Sequence, residues 1–584
     1  MPARLAHRAL AATALAAALF LALFPTPRPD RLLRASPLGG DYDGTFTYLG
    51  VGRSSTAALI DQGMGWRLTN NGLPESYVRP VGYPPSPTAA DWLALFPVLV
   101  RPETAHMLII GLGAGMTLAT VPNTVETIDV IELEPEVVAA NRAVPVRAGG
   151  DPLADPRAAL RIGDARGALI LANRRFDAIV SQPSHPWTAG ASHLYTREFF
   201  ALVHSRLSPG GVFVQWIGAA FADPQRLRAL LAAQNEVFAN VQVYLPEGGA
   251  IVLVACDAPI DIVASAARAI ARAPDDFAAT GIHRVEDVVA ALALDADGTR
   301  ALAAGAQANS DDRNVFATSD RPSVANARTN WLEAELAPYD PLPQLIGRID
   351  VASVLLGLRQ NRGGVRARRI AAALDPAHRE LALGWIEVDA LRPRRAAKHF
   401  AAALAADSAL TDAAVGLALV DANAPVARLP DRARAVIETV RHEDWARARA
   451  NDALLAQWQP GEQLYLEAAE QRLRWRIELG ERADLEPALA LVDTVLTRAS
   501  LPRFLVYRAE IAARLGRTEL AWLSLHALAA DSNTRPAPQV AQRALDLAQK
   551  LGEPPLPAIR IGLEQLARPG RGAMMREGPG RERP

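Results

Sequence analysis

The stretch Met107-Leu-Ile-Ile-Gly-Leu-Gly-Ala-Gly115 decides the fold, because a continuous apolar run passes directly into a glycine-rich turn. A second apolar run, Ile128-Asp-Val-Ile-Glu132, follows and ends in a carboxylate. Apolar strands that alternate with helical segments indicate a parallel sheet covered on both faces. The later runs Val241–Leu245 and Ile251–Ala255 predict a terminal antiparallel hairpin. We therefore expect an α/β domain of the Rossmann type over residues 105–256.

The glycine turn and two acids after neighbouring strands predict a nucleoside site. The pattern Gly111-x-Gly113-x-Gly115 lets backbone amides approach a ligand closely at the start of a helix. Glu132 stands at the tip of the next strand, where a carboxylate accepts both ribose hydroxyls. Asp164, after a third strand, is placed to meet an adenine amino group. A dinucleotide is disfavoured because its glycine pattern would require glycine at Met116, and no Walker lysine follows the turn.

The segments around this domain differ from it in composition and in predicted secondary structure. Short β-branched runs and the turn Asn70-Asn71-Gly72 predict a small antiparallel β subdomain before it. After it the chain becomes Ala-rich and helical, and the windows at 383–403 and 509–528 fit the spacing of tetratricopeptide (TPR) repeats, with an irregular helical bundle as the alternative. We expect this helical region to be a separate unit. The predicted segments are an N-terminal signal or anchor with linker at 1–35, a β subdomain at 36–104, the Rossmann domain at 105–256, a helical extension at 257–345, an all-α TPR-like region at 346–567 and a disordered tail at 568–584.

Composition excludes several classes of function. The net charge is −1, from 62 basic and 63 acidic residues, so no global field favours nucleic acid. The single cysteine, Cys256, excludes an internal disulfide framework and a Cys-rich zinc site. The histidines lack acidic or cysteine ligands at metal-site spacing, so no metal is expected. Asp311 and Asp312, in a polar cluster, are most simply interpreted as part of a solvated turn.

The N-terminus carries an apolar run at residues 9–24 with basic residues on both sides. As a helix this run is shorter than the ~30 Å hydrocarbon core of a bilayer. It fits either a short membrane anchor or a signal peptide. We favour an anchor, which would make the protein membrane-associated with a cytoplasmic catalytic domain; export through a signal peptide is the alternative.

Over about residues 40–256 the chain resembles the spermidine synthase family, whose motifs occur here in order and with matching spacing. The resemblance extends to a bacterial branch in which this domain is fused to membrane segments and helical repeats. It implies a methyltransferase-like Rossmann fold with a small N-terminal β subdomain, and decarboxylated S-adenosylmethionine or S-adenosylmethionine as donor, without a metal. It also assigns nucleoside binding to Gly111, Gly113, Glu132, Asp164 and Ala165. The motifs are Leu108-Ile-Ile-Gly-Leu-Gly-Ala-Gly, Val130-Ile-Glu-Leu-Glu-Pro-Glu-Val, Asp155-Pro-Arg, Gly163-Asp-Ala-Arg, Phe176-Asp-Ala-Ile-Val and Leu194-Tyr-Thr-Arg-Glu-Phe-Phe.

The chain departs from this family where the acceptor amine should bind. Aminopropyltransferases have an Asp-Ser-Ser-Asp-Pro-like motif at the end of the fourth strand, and its acids hold and deprotonate the amine. Here Gln182 replaces the first acid and His185 the second. Gln182 cannot act as a base, whereas the ordinary pKa of histidine would let His185 accept a proton near pH 7. Asp91 and Glu75 are the other candidate acids, both before the Rossmann domain.

Three functions remain open from the sequence. The resemblance places first a spermidine synthase-like transferase that moves an aminopropyl group to an amine in polyamine biosynthesis. The second is a methyltransferase that acts on another nucleophile. The third is a non-catalytic nucleoside-binding scaffold whose TPR-like helices bind a protein partner. A homodimer also remains open.

Overall fold

The computed structural model describes residues 13–20, 34, 44–186, 188, 190–219, 222–246, 250–317, 330–351, 353–355, 364–389, 392–499, 501–530 and 536–568. Within the predicted anchor, residues 13–20 are described and are helical. The rest of the anchor and nearly all of the predicted tail lie outside these ranges. In the ranges given, no helix has both the length and the apolar character that crossing a bilayer requires.

The N-terminal subdomain is a four-stranded antiparallel sheet in which each strand pairs with the next. Asn71 and Gly72 adopt positive φ, 51° and 76°, which a tight hairpin turn requires. The predicted β subdomain is therefore confirmed. Its strands are β1 Thr45–Val51, β2 Thr56–Asp61, β3 Trp66–Asn70 and β4 Leu73–Val78.

The main sheet has eight strands in the order β12-β10-β11-β9-β8-β5-β6-β7. The five from β9 to β7 in this order are parallel. Strand β11 is antiparallel to both of its neighbours, β9 and β10, and its pairing with β10 forms the predicted terminal hairpin. The edge strand β12 lies in the segment that was expected to be helical. The sequence does not predict this strand because three residues are too few to show the alternation typical of a strand. The strands are β5 His106–Ile110, β6 Thr127–Glu132, β7 Ala158–Ile162, β8 Phe176–Ser181, β9 Leu207–Gly218, β10 Asn240–Tyr244, β11 Ala250–Cys256 and β12 Leu292–Leu294.

Helices cover both faces of this sheet. Alternate residues of β5 enter two separate cores: Met107 packs with Trp92 and Phe96 on one face, and Leu108 packs with Phe199 on the other. The continuous apolar run at β5 is thereby explained, and the expected α/β Rossmann-like architecture is confirmed. The helices of this part are α1 Ala89–Val100, α2 Met116–Thr120, α3 Pro135–Arg142, α4 Ala165–Leu171, α5 Arg197–Arg206, α6 Pro224–Asn235, α7 Ile262–Arg272, α8 Pro274–Ala278, α9 Val285–Val289, α10 Ala296–Ala303 and α11 Asn330–Leu336.

The C-terminal part is all-helical. Large side chains pack against small residues of adjacent helices. The Phe400 ring lies directly against Gly384 and Gly416, because a β-carbon at either glycine would lie about 2.5 Å from the ring. This packing is of the small-against-large kind on which the repeat prediction rests; the assignment to TPR repeats stays a prediction. The helices are α12 Gly364–Ala372, α13 Pro376–Asp389, α14 Pro393–Ala406, α15 Thr411–Val420, α16 Asp431–His442, α17 Trp445–Ala450, α18 Asp452–Leu455, α19 Tyr465–Glu478, α20 Arg482–Arg498, α21 Pro502–Arg514, α22 Thr518–Ala530, α23 Pro538–Leu551 and α24 Pro557–Ala567.

The helical part packs against both preceding parts. Arg508 of α21 donates to the carbonyl of Gly82, 2.8 Å away, beyond the last strand of the N-terminal sheet. Arg498 of α20 forms an ion pair with Asp287 of α9 at 2.7 Å. Val354 and Ile370 share the apolar core that contains Met107. The helices are therefore in direct contact with the α/β part, in polar contacts and in the core.

Candidate functional site

The site lies at the carboxyl edge of the main sheet, where the strand order reverses. Strand β5 lies between β6 and β8, so the chain leaves β5 in one direction and returns to its other side after β7. Open α/β sheets bind ligands in the crevice at such a point, because the loops on either side diverge there. The glycine turn after β5 and the segment from Gln182 after β8 both begin at this edge.

The glycine turn has a backbone conformation in which other residue types would be strained. Gly111, Gly113 and Gly115 adopt φ values of 89°, 53° and 76°. A β-carbon on Gly111 would lie 2.8 Å from the carbonyl oxygen of Gln182, and one on Gly115 would lie 2.5 Å from Pro152. Gly111 and Gly115 thus allow the turn to pack closely against the end of β8 and the Pro152 loop.

Glu132 ends β6 beside this turn and is 7% exposed. Its carboxylate accepts the backbone N–H of Leu112 at 2.8 Å and that of Glu134 at 2.9 Å. Burial raises the pKa of Glu132, and these N–H groups oppose the rise. The carboxylate holds the turn against β6 and keeps further lone pairs, so it has the acceptor capacity that two ribose hydroxyls require.

Asp164 and Ala165 lie after β7, at the start of α4. Asp164 is the N-cap of that helix, and its Oδ2 accepts the backbone N–H of Gly167 at 2.6 Å. Asp164 is exposed, whereas Ala165 is buried. Their assignment to adenine binding stays a prediction, and the cap gives Asp164 a structural role as well.

Gln182 braces the glycine turn. Its Nε2 donates to the carbonyl of Gly111 at 2.6 Å, and its Oε1 accepts the hydroxyl of Thr117 at 2.6 Å. Both ends of the amide are therefore bound to the glycine turn and to the helix that follows it. Gln182 is a positioning residue in this geometry.

His185 packs against β4 and is 6% exposed. Its Nε2 lies 3.2 Å from the carbonyl oxygen of Pro74, which can only accept, so this nitrogen carries the proton. Burial lowers the pKa of His185 to about 4. The imidazole is neutral at pH 7 and is a much weaker base than its ordinary pKa suggests.

Glu75 of β4 lies with Ser184 and His185 in a group here called the acceptor side, because the sequence predicts that the acceptor binds there. Its Oε1 accepts the hydroxyl of Ser184 at 2.5 Å. The adjacent Ser76 lies against the glycine turn, and its Oγ accepts the N–H of Ala114 at 3.2 Å. Burial raises the pKa of Glu75 to about 7, and the nearby charge of Glu132 adds to the rise.

Tyr195 completes this group. Its side chain is fully buried, and its pKa is raised by burial and by the charge of Glu75. From the sequence we single out neither Ser184 nor Tyr195 as a functional residue. Tyr195 lies within a quoted family motif, which is the one signal that could identify it.

Asp91 has a structural role, and its expected place among the acceptor acids stays a prediction. It forms a capping box at the start of α1, where Oδ2 accepts the N–H and the hydroxyl of Thr88 at 2.6 and 2.9 Å. Its Oδ1 accepts the hydroxyl of Thr120 at 2.7 Å. Both carboxylate oxygens are thus used to start a helix and to hold the end of α2.

The polar segment Asn309–Phe316, here called the strap, is more than a solvated turn. Asp311 forms a two-pronged ion pair with Arg166 at 2.9 and 2.7 Å and accepts the hydroxyl of Thr196 at 2.7 Å. The buried Asn309 donates to the carbonyl of Tyr195 at 2.8 Å. The strap therefore ties the first turn of α4 to the turn that carries Tyr195.

Among the residues described here, no group of three or more His, Cys, Asp or Glu side chains is arranged to hold a metal ion. The polar groups of the site described above are carboxylates, hydroxyls, backbone amides, the Gln182 amide and the His185 imidazole.

Residues 89–247 match the family model of the spermine/spermidine synthase domain. Curated relatives include polyamine aminopropyltransferases of Enterobacter sp. (strain 638), 33% identical over 150 residues, and of Nitrosomonas europaea, 30% identical over 152 residues. These alignments cover 25% and 26% of this chain and 52% and 46% of the relatives. The chain thus spans about half the length of the curated relatives it matches.

Solved structures of similar proteins include spermidine synthase from Thermotoga maritima, at 20% identity and a TM-score of 0.35. That match covers 50% of this chain and 88% of the other. A probable spermidine synthase from Corynebacterium glutamicum matches at 21% identity with a TM-score of 0.34, over 45% of this chain and 96% of that one. By its sequence, this chain contains a segment at residues 89–247 that matches the spermine/spermidine synthase domain.

Proposed function

We propose that the protein transfers an aminopropyl group from decarboxylated S-adenosylmethionine to an amine, a reaction of polyamine biosynthesis. The observation that carries the proposal is Glu75, a carboxylate whose pKa burial raises to about 7 and whose Oε1 accepts the hydroxyl of Ser184, two residues after Gln182. A general base is most effective when its pKa lies near the working pH. The relatives' name, polyamine aminopropyltransferase, supports the same reaction.

In this reaction the amine nitrogen attacks the propyl carbon bound to the positively charged sulfur. A C–N bond forms, the C–S bond breaks, and its electron pair stays on sulfur, which leaves as methylthioadenosine. Glu75 accepts the proton that the amine loses. Ser184 donates to the carboxylate and orients it for that transfer.

The donor is bound by the elements around the glycine turn. Glu132 accepts the ribose hydroxyls, and Asp164 with Ala165 meets the adenine. Gln182 and Thr117 hold the turn in place through the Gln182 amide. Because the reaction needs mainly alignment of donor and acceptor, rigid placement of these groups is itself catalytic.

The test is an assay of the full chain with decarboxylated S-adenosylmethionine and a panel of amines, with release of methylthioadenosine measured by chromatography. Parallel reactions with S-adenosylmethionine test for methyl transfer through release of S-adenosylhomocysteine. Glu75→Gln is the matched control, since it keeps size and removes the base. Methyl transfer without aminopropyl transfer would assign the chain to methyltransferases, and donor binding without either product would indicate a scaffold.

We also propose the arrangement of the fused bacterial branch for the rest of the chain. The apolar run at 9–24 supports membrane association with a cytoplasmic catalytic domain, and the packed helices α12–α24 support a TPR-like surface for a protein partner. Protease protection of the protein in spheroplasts tests the orientation. Co-purification with and without the helical region intact tests for a partner, and sedimentation of the pure protein tests for a homodimer.

A further inference from the structure

Two carbonyl groups of the glycine turn are held by side chains from the end of α3 and the segment after it. Asn141, in the last turn of α3, donates from Nδ2 to the carbonyl of Gly113 at 2.6 Å. Arg147, which follows α3, donates from Nη1 to the carbonyl of Ala114 at 2.8 Å. The two side chains are buried. Consecutive carbonyls of the turn are thus bound from the side of β6.

Arg147 and Asn141 also bind each other. Arg147 donates to Oδ1 of Asn141 at 3.2 Å and to its backbone carbonyl at 2.6 Å. The Asn141 amide therefore accepts from the arginine at one end and donates to the turn at the other. Burial of a guanidinium is costly unless acceptors meet its N–H groups, and burial lowers the pKa of Arg147. Here the acceptors are the glycine turn and the residue that holds it.

The peptide group between Gly113 and Ala114 is held at both of its ends. Its N–H, which belongs to Ala114, donates to Oγ of Ser76 at 3.2 Å. Its carbonyl, which belongs to Gly113, accepts from Asn141. A glycine leaves the adjoining peptide several orientations, because it has no side chain to exclude them. The two hydrogen bonds therefore fix a peptide plane that the glycine by itself would leave free to rotate.

We infer that Asn141 and Arg147, here called the clamp, are positioning residues for the donor and act through the glycine turn. The inference rests on the proposed function, in which the nucleoside of the donor binds beside this turn. Alignment of the sulfonium donor with the amine requires a turn that keeps one conformation. The clamp holds the turn from the side of β6, and Gln182 holds it at Gly111 from the end of β8.

The test removes hydrogen bonds of the clamp in the full chain. Asn141→Asp keeps the size and the oxygen that accepts from Arg147, and it loses the N–H donor to Gly113. Arg147→Lys keeps the charge and loses the fork that reaches Ala114 and Asn141 together. We expect each variant to bind methylthioadenosine about tenfold more weakly in calorimetry, through the lost hydrogen bonds and the looser turn. The KM of the donor should rise and that of the amine should stay unchanged, because the clamp contacts the turn.

Arg441→Lys is the matched control. Arg441 of α16 also donates to backbone carbonyls, those of Ala418, Asp421 and Ala424, but it lies in the all-helical part. The Tm should fall in both arginine variants, whereas nucleoside affinity should fall in Arg147→Lys alone. An equal loss of affinity in Arg441→Lys would show that binding follows general stability and would overturn the inference. Unchanged affinity and donor KM in both clamp variants would overturn it as well.

Hydrogen exchange of the parent protein gives a second measurement, which decides if neither clamp variant folds. Binding of methylthioadenosine should slow exchange of the backbone amides between residues 141 and 148 together with those of the glycine turn. Slower exchange in the turn alone would overturn the inference. A parent that binds the nucleoside but forms no aminopropyl product would overturn the proposed function, while the affinities still decide on the clamp. A parent that binds neither methylthioadenosine nor S-adenosylhomocysteine would overturn both.

Discussion

At the scale of single residues, the protonation states of the acceptor side follow from burial. Glu75 and His185 are both desolvated, and desolvation disfavours the charged form of each. The pKa of Glu75 therefore rises to about 7 and that of His185 falls to about 4. At neutral pH the carboxylate is poised to exchange a proton, and the imidazole is neutral. Burial thus suits Glu75 better than His185 to the role of base in the proposed reaction, although a histidine is the residue more often associated with that role.

We predict that Glu75→Gln lowers kcat by roughly 10²–10⁴-fold, the usual contribution of a general base. Donor affinity in calorimetry should stay unchanged, because Glu75 lies on the acceptor side. In the parent protein, kcat should fall as the pH drops below about 7, since Glu75 becomes protonated there. A variant with near-normal kcat, or a parent profile that is flat through pH 7, would contradict this role.

The same raised pKa has a consequence for stability. A carboxyl whose pKa is higher in the folded state binds its proton more tightly when folded, so its contribution to stability is present at low pH and is lost as the pH rises through about 7. The quantity to compare is the Tm of Glu75→Gln minus the Tm of the parent. We expect this difference to be larger at pH 8 than at pH 5. An identical Tm difference at both values would show that Glu75 is not buried as a charge.

For Glu132 we predict that Glu132→Ala weakens nucleoside binding by roughly 1–3 kcal/mol, through lost charge-assisted hydrogen bonds. Titration of the folded variant with methylthioadenosine measures the change. Asp91→Ala is the control, because it should cost about 1 kcal/mol of unfolding free energy through the lost cap and leave affinity intact. Unchanged affinity in Glu132→Ala would remove this residue from the site.

At the scale of elements, the strap joins two parts of the site that are distant in sequence. Asp311 holds Arg166 on α4, and Asn309 holds the turn Ala191–Tyr195. The ring of Phe316 packs against that of Tyr195, and the two ring centroids are 5.3 Å apart. The position of Tyr195 and that of the α4 N-terminus are therefore coupled through one segment.

We predict that Asp311→Asn and Arg166→Gln each weaken methylthioadenosine binding by about 3–10-fold, because the start of α4 is no longer held. Since both act on one ion pair, the double variant should be no worse than the poorer single variant. Exchange of the charges, Arg166→Asp with Asp311→Arg, should recover part of the affinity. Losses that simply add in the double variant would show that the two residues act independently.

At the scale of the whole molecule, the helical part and the α/β part meet through a buried ion pair. The side chains of Arg498 and Asp287 are 2% and 9% exposed. Asp287 also accepts the backbone N–H groups of His283 and Arg284, so it anchors the start of α9 as well. Removal of the arginine would leave a buried carboxylate without its cation.

We predict that Arg498→Ala lowers the free energy of unfolding by about 3 kcal/mol. This value is at the lower end of the usual cost of breaking a buried ion pair, because two backbone N–H groups still donate to Asp287 in the variant. If the two parts unfold together, the whole calorimetric transition moves to lower temperature. If they are separate units, as the change of sequence texture predicts, one of two transitions moves. Limited proteolysis is the companion test: separate units should release a fragment that ends between about 330 and 350 and keeps its nucleoside affinity.

The sequence by itself determined the α/β sheet, the β subdomain, the glycine turn and the carboxylate at the tip of β6, because these depend on local periodicity and on glycine. It also named Gln182, His185 and Glu75 as candidate residues for acceptor binding, and these assignments stay predictions. Only the tertiary structure decided what each does, because pKa values and hydrogen-bond partners depend on groups that are remote in the chain. Thus Asp91 starts a helix, Gln182 braces a turn and Glu75 becomes desolvated beside Ser184, which follows it by 109 positions. The strap and the edge strand β12 are likewise features that only the tertiary structure decided. Their partners lie more than 40 residues away in the chain, so the local sequence does not predict these contacts.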